Sequence, residues 1–214
     1  MLNKYKDNTK SEKCCVVNCN LPLGQTYWNS QYDAQQTGWD LGEVSPPLKS
    51  YINQLTDKHI RILIPGCGNS YEASYLLQQG FTNITVIDIA PTLVNKLKEK
   101  FHSNKNIKII LGDFFEHKGS YDLIFEQTFF CALDPALRPQ YVSKMKELLV
   151  AGGKLVGLLF DREFDKQGPP FGGCKCQYEA LFKDSFKLDI FEPCYNSFVK
   201  RQATELFIKL VKQN

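Results

Sequence analysis

Apolar residues in this chain fall into short runs separated by polar stretches of helical length, and that alternation predicts its elements. Arg61-Ile62-Leu63-Ile64-Pro65 reads as a strand stopped by proline, and Ile84-Thr85-Val86-Ile87-Asp88 as a β-branched strand ending in an acid. Further strands are predicted over 107–111, 121–126 and 154–160. Between them lie helices over 71–79, closed by Gly80, 91–101, opened by Pro91, and 138–150, with Ala151-Gly152-Gly153 as the following turn. Strands alternating with helices predict an α/β fold, a mostly parallel sheet with helices on both faces. The rhythm breaks after residue 160. A Gly168-Pro169-Pro170-Phe171 loop and a helix over 177–182 precede strands over 187–191 and 204–211 with no helix between them. Those two strands are expected to pair antiparallel.

The start of the chain reads differently. Residues 1–25 carry no helical or strand period and are expected to form a mobile arm, leaving 26–214 as a single domain. Tyr27, Trp28, Tyr32 and Trp39 crowd the next segment. The first three sit at helical spacing, and a second helix is predicted over 47–55. Aromatic core filling explains such a cluster. A cover over a cationic ligand does so as well, since cations are held over aromatic faces. On that reading residues 26–45 form an aromatic lid.

Composition narrows the partners. The 214 residues are 43% hydrophobic and 23% charged, with a formal net charge of +3, so no strong attraction to nucleic acid or to a membrane surface is implied. A small-molecule substrate and a monomer are the expectation. No run approaches the roughly 18 apolar residues of a membrane span, and the polar opening residues lack a secretory apolar core, which predicts a cytoplasmic protein. The eight cysteines are then read as free thiols. Neither Cys14-Cys15-x-x-x-Cys19 nor Cys174-x-Cys176 has zinc-finger spacing or a histidine partner, so no metal is expected. His59, His102 and His117 lie in segments that read as surface turns. Cys131 has no histidine near it in sequence and reads as packing.

The candidate chemistry lies at the end of the first strand. In Pro65-Gly66-Cys67-Gly68-Asn69-Ser70 the chain passes through two glycines and enters a helix, so the backbone turns tightly and free N–H groups face outward. Asp88 follows Gly66 by about 22 residues, the spacing at which a carboxylate meets a ribose diol in such folds. Asp113, at the end of the third strand, is followed by Phe114, a carboxylate and a ring placed to meet an adenine. Together these predict an adenosine cofactor. Asn69-Ser70-Tyr71 lacks the third glycine of a nicotinamide fingerprint, and the late antiparallel strands exceed what such a domain needs, which favours S-adenosylmethionine. A nicotinamide-dependent oxidoreductase and a non-catalytic adenosyl-binding protein stay open as alternatives. A nucleic-acid methyltransferase is disfavoured, because Glu126-Gln127-Thr128-Phe129 is not its Asn-Pro-Pro-Tyr type of motif.

Several stretches carry a resemblance. Tyr27-Trp28, Thr37-Gly38-Trp39-Asp40, Ile64-Pro65-Gly66-Cys67-Gly68, Asp113-Phe114-Phe115, the run from Phe125 through Phe130-Cys131-Ala132 to Pro135, and Gly168-Pro169-Pro170-Phe171 resemble the thiopurine S-methyltransferase superfamily. Within it, the plant-type halide and thiol methyltransferases are most similar, over about residues 26–212. The resemblance implies a Rossmann-like class I methyltransferase with a seven-stranded sheet. The implied donor is S-adenosyl-L-methionine, and the product S-adenosyl-L-homocysteine. It implies that Trp28 and Trp39 cover the cofactor, that Gly66 with Gly68 forms the turn, that Asp88 binds the ribose, and that Asp113 with Phe114 flanks the adenine. Glu126 stands where plant members often carry aspartate and is grouped with these cofactor-side residues.

No Ser/His/Asp or Cys/His constellation accompanies this cradle. Methyl transfer from a sulfonium to a soft nucleophile is an in-line displacement that asks for alignment and exclusion of water rather than a strong base. The expected acceptor is a thiol, thiopurine or halide, in a pocket lined by Trp39, Phe129, Phe130 and Phe171.

Overall fold

In the computed structural model, which describes residues 23–213, every residue of Ile62–Pro65 (β1) and of Ile84–Asp88 (β2) is buried. Runs this apolar have no solvent face to offer, so they occupy the middle of a sheet covered on both sides. Ile107–Leu111 (β3) is an edge strand, with Lys108 exposed, and Tyr121–Gln127 (β4), Leu149–Phe160 (β5), Phe186–Pro193 (β6) and Glu205–Lys212 (β7) complete the sheet. The strand order is β3-β2-β1-β4-β5-β7-β6. β1 to β5 run parallel, Ile62 lying opposite both Ile84 and Leu123. β7 is antiparallel to β5 and to β6, pairing Leu158 with Phe207 and Phe191 with Ile208. The strand order reverses between β1 and β4, where the connections leave in opposite directions and open a crevice at the carboxyl ends of the strands.

Neighbouring strand residues serve opposite faces, as the pleat requires. Leu63, Ile124 and Leu155 face one core with Tyr141, Met145, Phe182 and Phe186. These partners come from Arg138–Leu148 (α5), Lys175–Phe182 (α6) and β6. Ile62, Ile64, Phe125 and Val156 face the other, against Leu48, Leu76, Leu93 and Leu97. Those four come from Pro46–Ile52 (α2), Tyr71–Gln78 (α3) and Pro91–Lys100 (α4). One helix stands apart: Gln25–Asp33 (α1) has no buried residue and lies against α4.

Element ends differ from expectation where pairing overrides local signals. α5 stops at Leu148, and β5 begins at Leu149, because Leu149 already pairs with Tyr121 across an irregular register. The glycines expected as a turn lie inside this strand; Gly153 passes so close to the Val150 carbonyl that a Cβ there would lie 2.9 Å from it. α2 ends at Ile52, short of the expected 55. Of the arm expected over 1–25, residues 1–22 lie outside the described residues, as do Cys14, Cys15 and Cys19. Among the described residues, no helix is long and apolar enough to cross a membrane.

Candidate functional site

Gly66 and Gly68 have φ of +54° and +49°, the left-handed region that L side chains avoid, and so does Ser70 at +53°. These turns bend the chain out of β1 and back toward α3, whose first turn has no side-chain cap. The bend borders a cavity of about 770 Å³ at the carboxyl ends of β1 to β4. Trp28, Trp39, Gly66, Gly68, Asp88, Asp113, Phe114 and Phe129 all line it.

Asp88 closes the floor. Its Oδ2 accepts the Gly68 N–H at 3.4 Å and its Oδ1 the Ala90 N–H at 3.0 Å. Burial pushes its pKa up to about 6, partly offset by those N–H groups. Each oxygen keeps lone pairs for a diol. Asp113 is exposed, and its Oδ1 accepts the Phe115 N–H at 2.8 Å, capping the 3-10 turn Phe114–Glu116. That cap fixes Phe114, which meets Phe129 edge-on with ring centroids 5.1 Å apart. The result is a two-ring wall beside a carboxylate floor.

The aromatic segment lies over this cradle. Trp39 meets Trp28 and Tyr32 edge-on, at 5.6 and 5.7 Å between centroids. Polar contacts hold the segment from several directions. Asn29 Oδ1 accepts the Thr92 N–H, and Asp33 accepts the Thr92 hydroxyl, both at 2.7 Å. Asp40 accepts from Asn69 Nδ2 and from the Tyr71 hydroxyl, and Arg201 Nη2 donates to the Trp39 carbonyl at 2.8 Å. Asp40, Asn69, Tyr71 and Arg201 were not among the expected site residues. Their signal lies in pairings across the chain, which sequence adjacency does not display.

Three expected site residues stand elsewhere. Glu126 is fully buried outside the cavity lining. Its Oε1 accepts the N–H groups of Phe129 and Phe130 at 2.8 and 3.0 Å, and its Oε2 the Tyr141 hydroxyl at 2.6 Å. It holds the loop from behind the cavity wall. Burial pushes its pKa up to about 7. Phe130 is 1% exposed and packs edge-on against Tyr141 and Tyr178, and Phe171 is 6% exposed; both back the wall instead of lining it. Phe129 and Phe130 diverge because the chain turns sharply there, Thr128 having φ of +61°.

The far end of the cavity is built from Phe160, Phe164, Pro169, Pro170 and Phe198, with Arg162 and Lys200 beside them. Cys131 borders it, but burial and the Glu126 carboxylate push its thiol up to about 12, which keeps it protonated. Among the described residues, no histidine lines the cavity: His59 and His102 are exposed, and His117 bonds Tyr121 at 2.8 Å instead. No group of three or more His, Cys, Asp or Glu side chains is placed to hold a metal ion, again among the described residues. Gln127 was also unforeseen: it borders the cavity, and both polar atoms of its side chain are buried without a hydrogen-bond partner.

Comparison with known proteins places this geometry in context. A family model described as thiopurine S-methyltransferase matches residues 23–213. A probable thiol methyltransferase 2 of Arabidopsis thaliana is 33% identical over 159 residues, 72% of this chain and 70% of the relative. Thiocyanate methyltransferase 1 of Brassica oleracea is 28% identical over 185 residues, 83% of this chain and 81% of the relative. Thiopurine S-methyltransferase of Acinetobacter baylyi is 30% identical over 185 residues, 76% and 85% of the two chains. Among solved structures, a Burkholderia thailandensis 1,6-didemethyltoxoflavin-N1-methyltransferase with bound S-adenosylhomocysteine superposes with a TM-score of 0.73 at 15% identity, covering 89% of this chain and 87% of that one. At that identity the likeness establishes the fold, a class I methyltransferase sheet.

Proposed function

Because the chain belongs to the thiopurine S-methyltransferase family, we propose that it transfers the methyl group of S-adenosyl-L-methionine to a small, soft nucleophile, a thiol, thiopurine or halide. The observation that carries the reading is one cavity with two unlike ends. One end joins a buried carboxylate, Asp88, to a glycine turn in which a Cβ on Gly66 has no room; the other is rich in aromatic and proline side chains, with Arg162, Lys200 and Arg201 on its border. The residues fit the donor. Asp88 has spare acceptor capacity for a ribose diol, and Asp113 stands beside Phe114 and Phe129 where an adenine would lie between carboxylate and ring. Trp28, Trp39, Gly66 and Gly68 complete that end.

When bound, the donor supplies an electrophilic methyl group on a sulfonium sulfur. This chain's own contribution is alignment and dryness. Phe129 lies across Gly66 and lines the same cavity as the side chains of the far end. Phe160, Phe164 and Phe198 strip water from an acceptor, and a desolvated thiolate or halide is already nucleophilic. A hydroxyl or amine acceptor would need a base near the far end, and Cys131, held protonated, is not one.

Among the described residues the cysteines Cys67, Cys131, Cys174, Cys176 and Cys194 are free thiols, which accords with a reducing compartment such as the cytoplasm. Among the described residues only Leu111, Tyr195 and Val199 are exposed large hydrophobics, and a monomer is the proposed state. Light scattering of the purified chain checks the second point. The test of function is a product screen with S-adenosylmethionine against iodide, bisulfide, thiocyanate, small aromatic thiols and thiopurines. Methylated product from at least one thiol or halide is expected. Tight binding of S-adenosylhomocysteine with no product from any acceptor would replace the enzyme with a non-catalytic adenosyl-binding protein.

A further inference from the structure

Arg201 is 8% exposed and ends a 3-10 turn, Val199–Arg201, just before β7. Its backbone is pinned on both sides. Its N–H donates to the Phe198 carbonyl at 2.7 Å, and its carbonyl accepts the Thr204 N–H and hydroxyl at 3.2 and 2.8 Å. The side chain therefore leaves the hairpin in a fixed direction and meets three elements. The guanidinium lies 5.3 Å from the centroid of Phe160 at the end of β5, and Nη1 lies 3.3 Å from Glu205 Oε1 at the start of β7. Nη2 donates to the Trp39 carbonyl at 2.8 Å, across 162 positions of sequence. Phe160, Arg201 and Trp39 all line the cavity.

A cation rooted in the acceptor-side wall thus holds the backbone of a donor-side tryptophan. α1, which carries Trp28 and Tyr32, has no fully buried residue; those two rings are only partly buried against the core, so polar contacts share in keeping this segment closed. Trp39 packs edge-on against both of those rings, so a fixed Trp39 fixes the cluster. We infer that Arg201 is a positioning residue for donor retention: its guanidinium holds Trp39, and with it the aromatic segment, closed over the donor end of the cavity. The inference rests on the donor assignment made above.

Arginine suits the task because its planar fork serves two acceptors while its face lies on a ring; the single ammonium of lysine does not reproduce that geometry. Arg201→Lys keeps a cation for Glu205 and gives up the Trp39 carbonyl. The chain's two tryptophans, Trp28 and Trp39, both belong to the cluster, so their fluorescence reports its state. The experiment is stopped-flow displacement of S-adenosylhomocysteine from the full chain, native, Arg201→Lys and Arg201→Ala, beside the urea midpoint of each ligand-free protein. Release about tenfold faster in Arg201→Lys, with its urea midpoint near native, is expected, together with partial rescue of Arg201→Ala by added methylguanidinium. If Arg201→Ala does not fold, Arg201→Lys carries the test alone. Release within twofold of native in every folded variant overturns the inference and leaves the donor assignment standing. Failure of the native chain to bind S-adenosylhomocysteine overturns both.

Discussion

A Cβ placed on Gly66 would lie 2.2 Å from Cδ2 of Phe129 and 3.0 Å from its Cβ. The contact reaches the stem of the phenylalanine and not only its tip, so rotation of the ring does not relieve it. Phe129 is held in turn by the Glu126 carboxylate through its own N–H. The glycine turn and the loop after β4 are therefore one construction, in which a ring covers the bare backbone of the turn.

Gly66→Ala tests that construction. The left-handed conformation costs a non-glycine residue about 1–2 kcal/mol, and forcing a methyl group into the ring adds about 1–3 kcal/mol of overpacking. Donor affinity is expected to fall more than tenfold, with a lower urea midpoint. Adding Phe129→Ala should return part of the stability and none of the affinity, because the backbone strain remains. Calorimetric titration with S-adenosylhomocysteine and urea melts of both variants check the two halves.

Asp88 gives a pH signature. Its carboxyl is pushed up to about 6 by burial, and the ionised form is the one that accepts two hydroxyls. As pH falls through that value the carboxyl protonates, so donor affinity is expected to drop by about tenfold between pH 7 and pH 5, following a single titration. Asp88→Asn should bind more weakly at pH 7, by about 2–3 kcal/mol as for hydrogen bonds to a charged group, and lose the pH dependence. A native affinity that is flat across this range would remove Asp88 from the donor site.

How much of this was legible in the sequence follows from what each signal encodes. Ile62 to Ile64 and Ile84 to Ile87 announce buried strands because both faces are apolar, and the reversal between β1 and β4 then puts their carboxyl ends at one crevice. Gly66, Gly68 and Asp88 were legible because backbone conformation and strand-end position are local properties. Direction is not local. Phe129 and Phe130 are neighbours, yet one lines the cavity and the other packs on Tyr178, and the left-handed Thr128 that separates them has no mark in composition. Glu126 ends inside the core for the same reason. Arg201 and Trp39 meet only once the last antiparallel strand is laid against β5.

Glu126 makes a prediction of the opposite sign to that of Asp88. Its folded pKa is about 7 against an ordinary 4.5, so between those values the folded chain binds more protons than the unfolded one. Stability from this group is fully present below about 4.5 and is lost as pH rises through about 7. The ligand-free chain should therefore have a higher urea midpoint at pH 6 than at pH 8, by about 1 kcal/mol, and Glu126→Gln should flatten the difference. Glu126→Ala leaves the Phe129 and Phe130 N–H groups and the Tyr141 hydroxyl without a partner and should cost about 2–4 kcal/mol at either pH.

The aromatic segment should order around its ligand. With no buried residue in α1, the amides of residues 25–42 are expected to exchange quickly in the free protein and to slow with S-adenosylhomocysteine, while those of β1 and β2 stay protected in both states. Equal protection of 25–42 with and without ligand would make the cluster a fixed part of the core rather than a lid.

Acceptor preference follows from the far end of the cavity. Phe160, Phe164, Pro169, Pro170 and Phe198 offer an approaching nucleophile little to replace its water, and Arg162 and Lys200 beside them favour an anion, so the anions that lose hydration at least cost should react best. Iodide should be methylated well ahead of chloride, and thiolates ahead of alcohols and amines of similar shape. The alcohol and amine must each lose a proton to become reactive, and no histidine lines the cavity among the described residues, while the bordering Cys131 thiol stays protonated to about 12. With a thiol substrate the rate should climb with pH as its thiolate fraction grows, and level off above the thiol's own pKa. That rise must be separated from the Asp88 titration, which acts on donor binding near pH 6; saturating donor removes it. Initial rates at saturating S-adenosylmethionine, measured for a series of aromatic thiols of graded pKa, make the distinction: the inflection should move with the thiol. An inflection fixed at one pH across the series would mean that a group of the protein takes the acceptor's proton. Faster methylation of an amine or a catechol than of every thiol and halide would mean that this far end does not receive the acceptor.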